Sequence, residues 1–188
     1  MALKKENPIA EKSKRWIIDA LFEIMKNKPY NKITIKEISD RALLSRRTFY
    51  RNFNSKDEVL SLKMEYIYRE YISYFSGEQD LSYKNIIHIY FKFWKDHLDF
   101  LLALDKSDLL YLMLQKFNEY LPLIYNHFKG HLHLFKNKEH LEYALYFSSG
   151  GLWNVLLKWI EEGAQKSPEE MEHILREALK NANLTIIV

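Results

Sequence analysis

The sequence predicts an all-α protein in which a small three-helix domain is joined by a connector helix to a larger helical bundle. Apolar residues recur at helical spacing through most of the chain. Only 5 glycines and 4 prolines interrupt its 188 residues, too few for a turn-rich β fold. Helix-start signals, Ser or Thr followed three residues later by Glu, recur as well. We place the three-helix domain at 1–54, the connector at 55–77 and the bundle at 78–188.

Charge is distributed unevenly between the two ends of the chain. Residues 1–60 hold 14 Lys and Arg against 8 Asp and Glu, whereas residues 61–188 hold 14 against 17. A basic first third indicates a polyanionic partner for that part alone. The absence of cysteine excludes disulfides and thiolate metal sites. Without a long apolar run or a hydrophobic signal core, we expect a cytoplasmic protein with no membrane partner.

The first three predicted helices lie close together in the sequence. The first covers about Ala10 to Lys28, and Pro29 follows where helices commonly stop. Thr34 then caps a second helix, with Glu37 completing a capping box. After a corner at Leu43 and Leu44, Ser45 caps a third helix from about Arg46 to Asn52.

The third helix has an apolar and a basic face. At about 100° per residue, Phe49 and Phe53 lie on the inner side, while Arg47 and Arg51 lie on the opposite side. This pair of helices is typical of the helix-turn-helix, which enters the DNA major groove. A surface helix that merely carries arginines is the alternative. The predicted DNA-binding residues are Thr34, Ser45, Arg46, Arg47, Thr48, Tyr50, Arg51 and Lys56.

The connector starts at a second capping box, Ser55 to Glu58, and runs to Ser76 before Gly77. A helix over Ser82–Leu104 follows, apolar around more than half its circumference, and Asp105–Asp108 breaks it. The remaining predicted helices are Leu109–Tyr120 and Leu123–Leu134, separated by Pro122; Lys138–Glu162, ending at Gly163; and a Ser167-capped helix to Asn181.

The stretch ITIKEISDRALLSRRTFYRNFNSKDEVL, residues 33–60, resembles the N-terminal domain of TetR/AcrR-type transcriptional regulators. The resemblance covers residues 10–60. It departs from the family at Leu43, where glycine is usual, and leucine is disfavoured at a positive φ angle.

The segment GGLWNVLLKWIEEGAQKSPEEM, residues 150–171, is similar to one C-terminal subfamily of these regulators. That resemblance implies that the last two helices pair with their symmetry mates in a homodimer, although the same surface is also typical of an internal packing face. A two-fold dimer would space two reading heads roughly 34–36 Å apart on a quasi-palindromic operator. The predicted interface residues are Gly150, Gly151, Trp153, Leu157, Leu175 and Leu179.

The resemblance further implies a small apolar or aromatic effector bound in the C-terminal domain. Aromatic side chains between helices are typical of such a cavity, and each of them alone is also typical of a core. The candidate effector residues are Tyr90, Trp94, Tyr111, Phe117, Tyr120, Tyr125, Phe128, Tyr143 and Trp153.

No pattern favours catalysis, a metal or a cofactor. His127, His131 and His133 lack an obvious acidic or thiolate co-ligand. No strand precedes Ser148 and Ser149 to form a nucleophile elbow, and the paired acids are typical of surface charge. The sequence therefore favours a ligand-responsive repressor that is not an enzyme. A co-activator whose C-terminal domain binds a protein is the alternative, and a helical enzyme or cofactor carrier is a remote one.

Overall fold

A computed structural model describes residues 8–76, 80, 82–128 and 138–181 of the chain. The described ranges contain nine α-helices, one 3-10 helix and no strand, which confirms the predicted all-α class. The helices are α1 (Pro8–Met25), a 3-10 helix (Tyr30–Lys32), α2 (Ile35–Arg41), α3 (Arg46–Asn52), α4 (Lys56–Ser76), α5 (Tyr83–Asp96), α6 (Leu98–Asp105), α7 (Leu110–Phe128), α8 (Lys138–Glu161) and α9 (Pro168–Asn181).

Contacts divide the chain into two compact units. The first is Met1–Ile67 with Asp99–Leu109, and the second is Tyr68–Leu98 with Leu110–Val188. Helix α4 therefore contributes its first half to one unit and its second half to the other. The predicted boundaries at residues 54 and 77 follow local sequence signals and stay a prediction.

The first unit is built on mutual packing of α1, α2 and α3. Their stripes bring Ile17, Leu21, Ile38 and Phe49 into a fully buried core, as the helical spacing predicts. Helix α6 belongs to this unit, and its Phe100 ring lies 5.2 Å from that of Phe22.

The prediction of one continuous helix over Ser82–Leu104 is wrong. The segment forms two helices, α5 and α6, which are separated at His97. The His97 ring lies 4.3 Å from that of Phe93, and its Nε2 is 3.3 Å from the Glu70 carboxylate. Helix α5 buries its stripe in the second unit, whereas nearly all of α6 belongs to the first. The sequence shows one unbroken run of apolar residues at helical spacing here, because no glycine or proline marks the break between α5 and α6.

The predicted separation of two helices at Pro122 is also wrong, because α7 runs from Leu110 to Phe128 without interruption. Proline removes one backbone donor from a helix, a local loss that a long packed helix can tolerate with a bend. The rest of the predicted Leu123–Leu134 helix lies outside the described residues.

The second unit packs α5 against α9 and α7 against α8. Its start and stop signals are confirmed: Ser167 and Glu170 form a reciprocal capping box, and Gly163 ends α8 at φ +80°. The predicted break after α6 is confirmed too, with Asp108 at φ +56°.

Candidate nucleic-acid interface

The helix-turn-helix begins at a completed capping box. The Thr34 hydroxyl accepts the Glu37 amide at 3.3 Å, and the Glu37 carboxylate accepts the Thr34 amide at 2.9 Å. The same carboxylate pairs with Lys28 at 2.5 Å. Lys28 and then Thr34 lower the pKa of Glu37 from 4.5 to about 2. The predicted N-terminus of α2 is thus confirmed and fixed by charged hydrogen bonds.

The corner between α2 and α3 has a left-handed residue. Leu43 adopts φ +55° and is 92% exposed. Its amide bonds the Asp40 carbonyl, and the Leu44 amide bonds the Ser39 carbonyl at 2.9 Å. These bonds satisfy the last carbonyls of α2 in the geometry that normally uses glycine. Leu43 therefore keeps the corner of the motif and adopts a backbone conformation unfavourable for leucine.

Helix α3 starts and ends where the sequence predicts. The Ser45 hydroxyl accepts the Thr48 amide at 3.1 Å, and the two hydroxyls lie 3.0 Å apart. Phe49 is completely buried and Phe53 nearly so, with ring centroids 6.0 Å apart. The inner face of the helix is therefore locked against the first unit.

The outer face of α3 carries the predicted basic residues. Arg46, Arg47 and Arg51 are exposed, as is Tyr50, while Thr48 is half-buried. Within the described part of the chain, no carboxylate pairs with any of these three guanidiniums. Guanidiniums without an internal partner on a rigid helix are suited to guanine edges and phosphates.

Lys56, predicted to contact phosphate, is occupied within the protein. Its ammonium donates to the carbonyl oxygens of Tyr30 at 2.7 Å, Ile33 at 2.9 Å and Asn31 at 3.4 Å. Thr34 and Ser45 likewise use their hydroxyls as helix caps. The three arginines and Tyr50 are therefore the predicted residues whose polar groups face outward.

A cleft beside the corner was not found from the sequence. It encloses about 420 Å³, and its walls include Trp16 of α1 together with Arg41 and Leu43. The Trp16 indole is half-exposed, and the Lys12 ammonium lies 4.9 Å from its ring centroid.

Four candidate effector residues come together in the second unit. Trp94 is 1% exposed, with its ring 6.3 Å from those of Tyr90 and Trp153, and Phe117 reaches the same cluster through Tyr71 at 5.7 Å. The Trp94 Nε1 is buried and makes no hydrogen bond of standard geometry among the described residues, although it lies close enough to the Tyr90 hydroxyl to oppose the burial that raises the pKa of that phenol.

The remaining effector candidates are placed differently. Tyr120 stacks on Tyr68 at 5.0 Å, whereas Tyr111 and Tyr143 are largely exposed. The side chains of Tyr125 and Phe128 lie outside the description.

Two tyrosines of α4, Tyr68 and Tyr71, were missed as members of this aromatic cluster. Both side chains are buried, and Tyr71 contacts the rings of Phe93 at 5.0 Å and Trp94 at 6.3 Å. Burial raises the pKa of both phenols. The second half of α4 thus contributes two rings to the aromatic cluster.

The predicted dimer residues fall into two groups. Gly150 and Gly151 border an open face of α8, where an added Cβ would meet no atom within 4 Å among the described residues. Trp153 and Leu175 are buried within the second unit, while Leu157 and Leu179 are half-buried. Three large apolar residues on the same face of α8 as these glycines are exposed and were not among the predicted interface residues, namely Tyr143, Tyr146 and Phe147. Ile174 of α9 is exposed as well.

The residues of the disfavoured metal and nucleophile patterns are placed as follows. Among the described residues no group of three His, Cys, Asp or Glu is arranged for a metal, while the side chain of His127 and all of His131 and His133 lie outside them. Ser149 lies on α8 and donates to the Tyr146 carbonyl. None of the described helices combines the length and apolarity that crossing a bilayer requires.

Comparison with known proteins gives a consistent picture. Residues 17–61 match the family described as bacterial regulatory proteins, tetR family, and residues 82–181 match the transcriptional regulator C-terminal region. No curated protein matches the sequence.

Two solved structures are similar in fold. The dihydroxyacetone kinase operon activator DhaS has 17% identity and a TM-score of 0.62, with 90% of this chain and 95% of that chain covered. The fatty acid degradation regulator FadR from Bacillus halodurans has 20% identity and a TM-score of 0.64, with 94% and 96% covered. At these identities the likeness concerns the fold alone.

Proposed function

The chain belongs to the TetR family of bacterial transcriptional regulators, and from that membership we propose that it is a homodimeric repressor released from its operator by a small molecule. The observation that carries the proposal is the outer face of α3. Arg46, Arg47 and Arg51 extend from a helix capped by Ser45 and anchored by Phe49. A rigid helix with outward guanidiniums is the element that reads base edges in a helix-turn-helix.

The contacts divide by chemistry. Arg47 and Arg51, opposite the buried Phe49, approach bases or phosphates in the groove, since a guanidinium fork matches both. Arg46 at the start of the helix and Tyr50 on its flank contact the backbone and set the orientation. Their exposure supports these roles.

The dimer is proposed to form through α8 and α9. The exposed rings of Tyr143 and Phe147 share this surface with Gly150, and Ile174 of α9 is also exposed. Apolar side chains of this size at an uncovered surface are typical of a protein interface. Glycine at the same face permits close approach of a second backbone.

The effector is proposed to bind at the cluster around Trp94 and Tyr71. The buried Trp94 indole nitrogen is a donor that a ligand acceptor would satisfy. Because Tyr71 belongs to α4, a ligand that displaces its ring also biases the connector that leads to the reading head. This coupling would be contradicted if the distance between the two DNA-binding domains of the dimer were the same in the free and the effector-bound protein.

Operator binding is tested by selecting bound fragments from genomic DNA and measuring affinity for the recovered duplex. We expect Arg47→Ala to cost about 1–3 kcal/mol of operator affinity, because a bidentate base contact is lost. Arg69→Ala, an exposed arginine of α4 outside the interface, should leave the affinity unchanged. Unaltered operator binding by Arg47→Ala would contradict the proposed interface.

The sign of regulation is tested separately with a reporter placed behind the recovered operator. Repression by the intact chain supports the proposal, whereas stimulated transcription would favour the co-activator alternative. One protein of the same fold, DhaS, is described as an operon activator, which makes this measurement decisive.

A further inference from the structure

The ammonium of Lys56 stands at the first residue of α4 and is half-buried. It lies within 3.4 Å of three carbonyl oxygens, those of Tyr30, Asn31 and Ile33. It also sits over the Tyr30 ring, 4.5 Å from its centroid. An ammonium group has three N–H donors. The three carbonyl oxygens, here called the carbonyl cage, therefore match all the donors of Lys56.

Asp57, the residue after Lys56, contacts the hydroxyl end of the Tyr30 side chain. The Tyr30 hydroxyl donates to the Asp57 carboxylate, and burial followed by this contact raises the pKa of the phenol. The Tyr30 amide in turn bonds the Ser107 hydroxyl at 3.2 Å. Backbone, ring and hydroxyl of Tyr30 are thus all engaged within the first unit.

The caged segment leads directly into the reading motif. The 3-10 helix Tyr30–Lys32 is followed by Ile33, whose carbonyl is one wall of the cage, and then by Thr34, the cap of α2. Helix α2 packs against α3, so the direction in which the chain leaves the cage fixes how the recognition helix is presented.

We propose that Lys56 is a positioning residue that clamps the start of the connector to the loop before α2, and that it is not a phosphate contact. This inference rests on the proposed DNA-binding function. A phosphate oxygen would have to compete with three carbonyl oxygens that already accept from the ammonium. The clamp makes the orientation of the reading motif depend on the first turn of α4.

Lys56→Met separates the two roles, because methionine keeps an unbranched stem without the charge. The measurement is affinity for the operator duplex and for a scrambled duplex of equal length, across a range of salt, at a temperature where circular dichroism shows the variant folded. We expect operator affinity to fall about tenfold or more, because small misplacements of a contact helix are costly, with scrambled-duplex affinity and the salt slope unchanged.

A phosphate contact gives a different pattern. Losing it lowers the salt slope by about 0.9 per protomer and weakens both duplexes equally. That result, or unchanged binding to both duplexes, would overturn the clamp.

Lys56→Arg is the second variant, and it tests the clamp even if Lys56→Met does not fold. Arginine preserves a phosphate contact, but its planar fork does not present three donors to a tripod of carbonyls. We expect operator affinity to fall in Lys56→Arg with the slope retained, and wild-type affinity would overturn the inference. Arg47→Ala in the same assay tests the proposed DNA-binding function itself. If Arg47→Ala leaves operator affinity unchanged, the proposed DNA interface is contradicted, whatever the result for Lys56.

Discussion

The two halves of α4 are held in different ways. At its start, Lys56 and Asp57 are tied to Tyr30 by directed polar contacts, and Ser55 caps the helix. Towards its end, Tyr68 and Tyr71 are held mainly by ring contacts in an aromatic core, together with a buried hydrogen bond that the Tyr68 hydroxyl donates to the Met113 carbonyl. Hydrogen bonds weaken steeply with angle and distance, whereas apolar contacts are non-directional. One helix therefore begins among directed polar contacts in the first unit and ends in a largely aromatic core in the second.

The largest expected effect tests the aromatic core that holds the second half of α4. We expect Trp94→Ala to lower the free energy of unfolding by about 3–5 kcal/mol, because a large buried side chain is lost and a cavity remains. Denaturant unfolding measures this change. Tyr111→Ala, an aromatic on the same unit that is 57% exposed, should change stability by less than about 0.5 kcal/mol. Similar values for both variants would mean that the cluster is not a packed core.

A smaller effect tests the backbone geometry of the first unit, at the corner between α2 and α3. Leu43→Gly should raise the free energy of unfolding by about 0.5–1 kcal/mol, because relief of the left-handed conformation exceeds the added backbone entropy of the unfolded chain. Thermal or denaturant unfolding measures the gain. Leu43→Ala keeps the Cβ atom and should show little gain, so equal stabilisation by both variants would assign the effect to side-chain exposure.

The smallest effect concerns the carboxylate at the start of α2. Because Lys28 and Thr34 lower the pKa of Glu37 to about 2, the unfolded chain binds the proton more tightly than the folded one. The stabilisation is present above pH 4.5 and is lost as pH falls from there towards 2. Glu37→Gln should therefore flatten this part of the stability profile, measured by unfolding at a series of pH values.

Lys28→Met provides the control for that assignment. It removes the largest cause of the shift and leaves the Thr34 capping box in place. A profile identical to that of the intact protein would show that the ion pair contributes nothing to acid stability.

The sequence was most informative where structure is decided locally. The caps at Thr34, Ser45 and Ser167 involve residues three positions apart, so a short window contains both partners. The boundaries of α3, the end of α8 at Gly163 and the strained corner at Leu43 follow from the same kind of signal.

Tertiary partners lie outside such windows. The three carbonyls around Lys56 come from residues 23 to 26 positions away, and the break at His97 reflects packing in two units. Tyr71 joins the candidate effector cluster because the second half of α4 packs beside α5 and α7 in the second unit. The outward direction of the arginines was predictable, and the internal engagement of Lys56 was not.

The membership of α6 in the first unit has a practical consequence for modularity. The reading head is not a contiguous piece of the gene: Phe100 packs on Phe22, and the Lys106 ammonium bonds the Lys26 carbonyl at 2.8 Å. A chimera that exchanged only the stretch before the connector would set a foreign α1 against the resident α6. A matched graft of residues 99–109 alongside the N-terminal segment would keep these contacts.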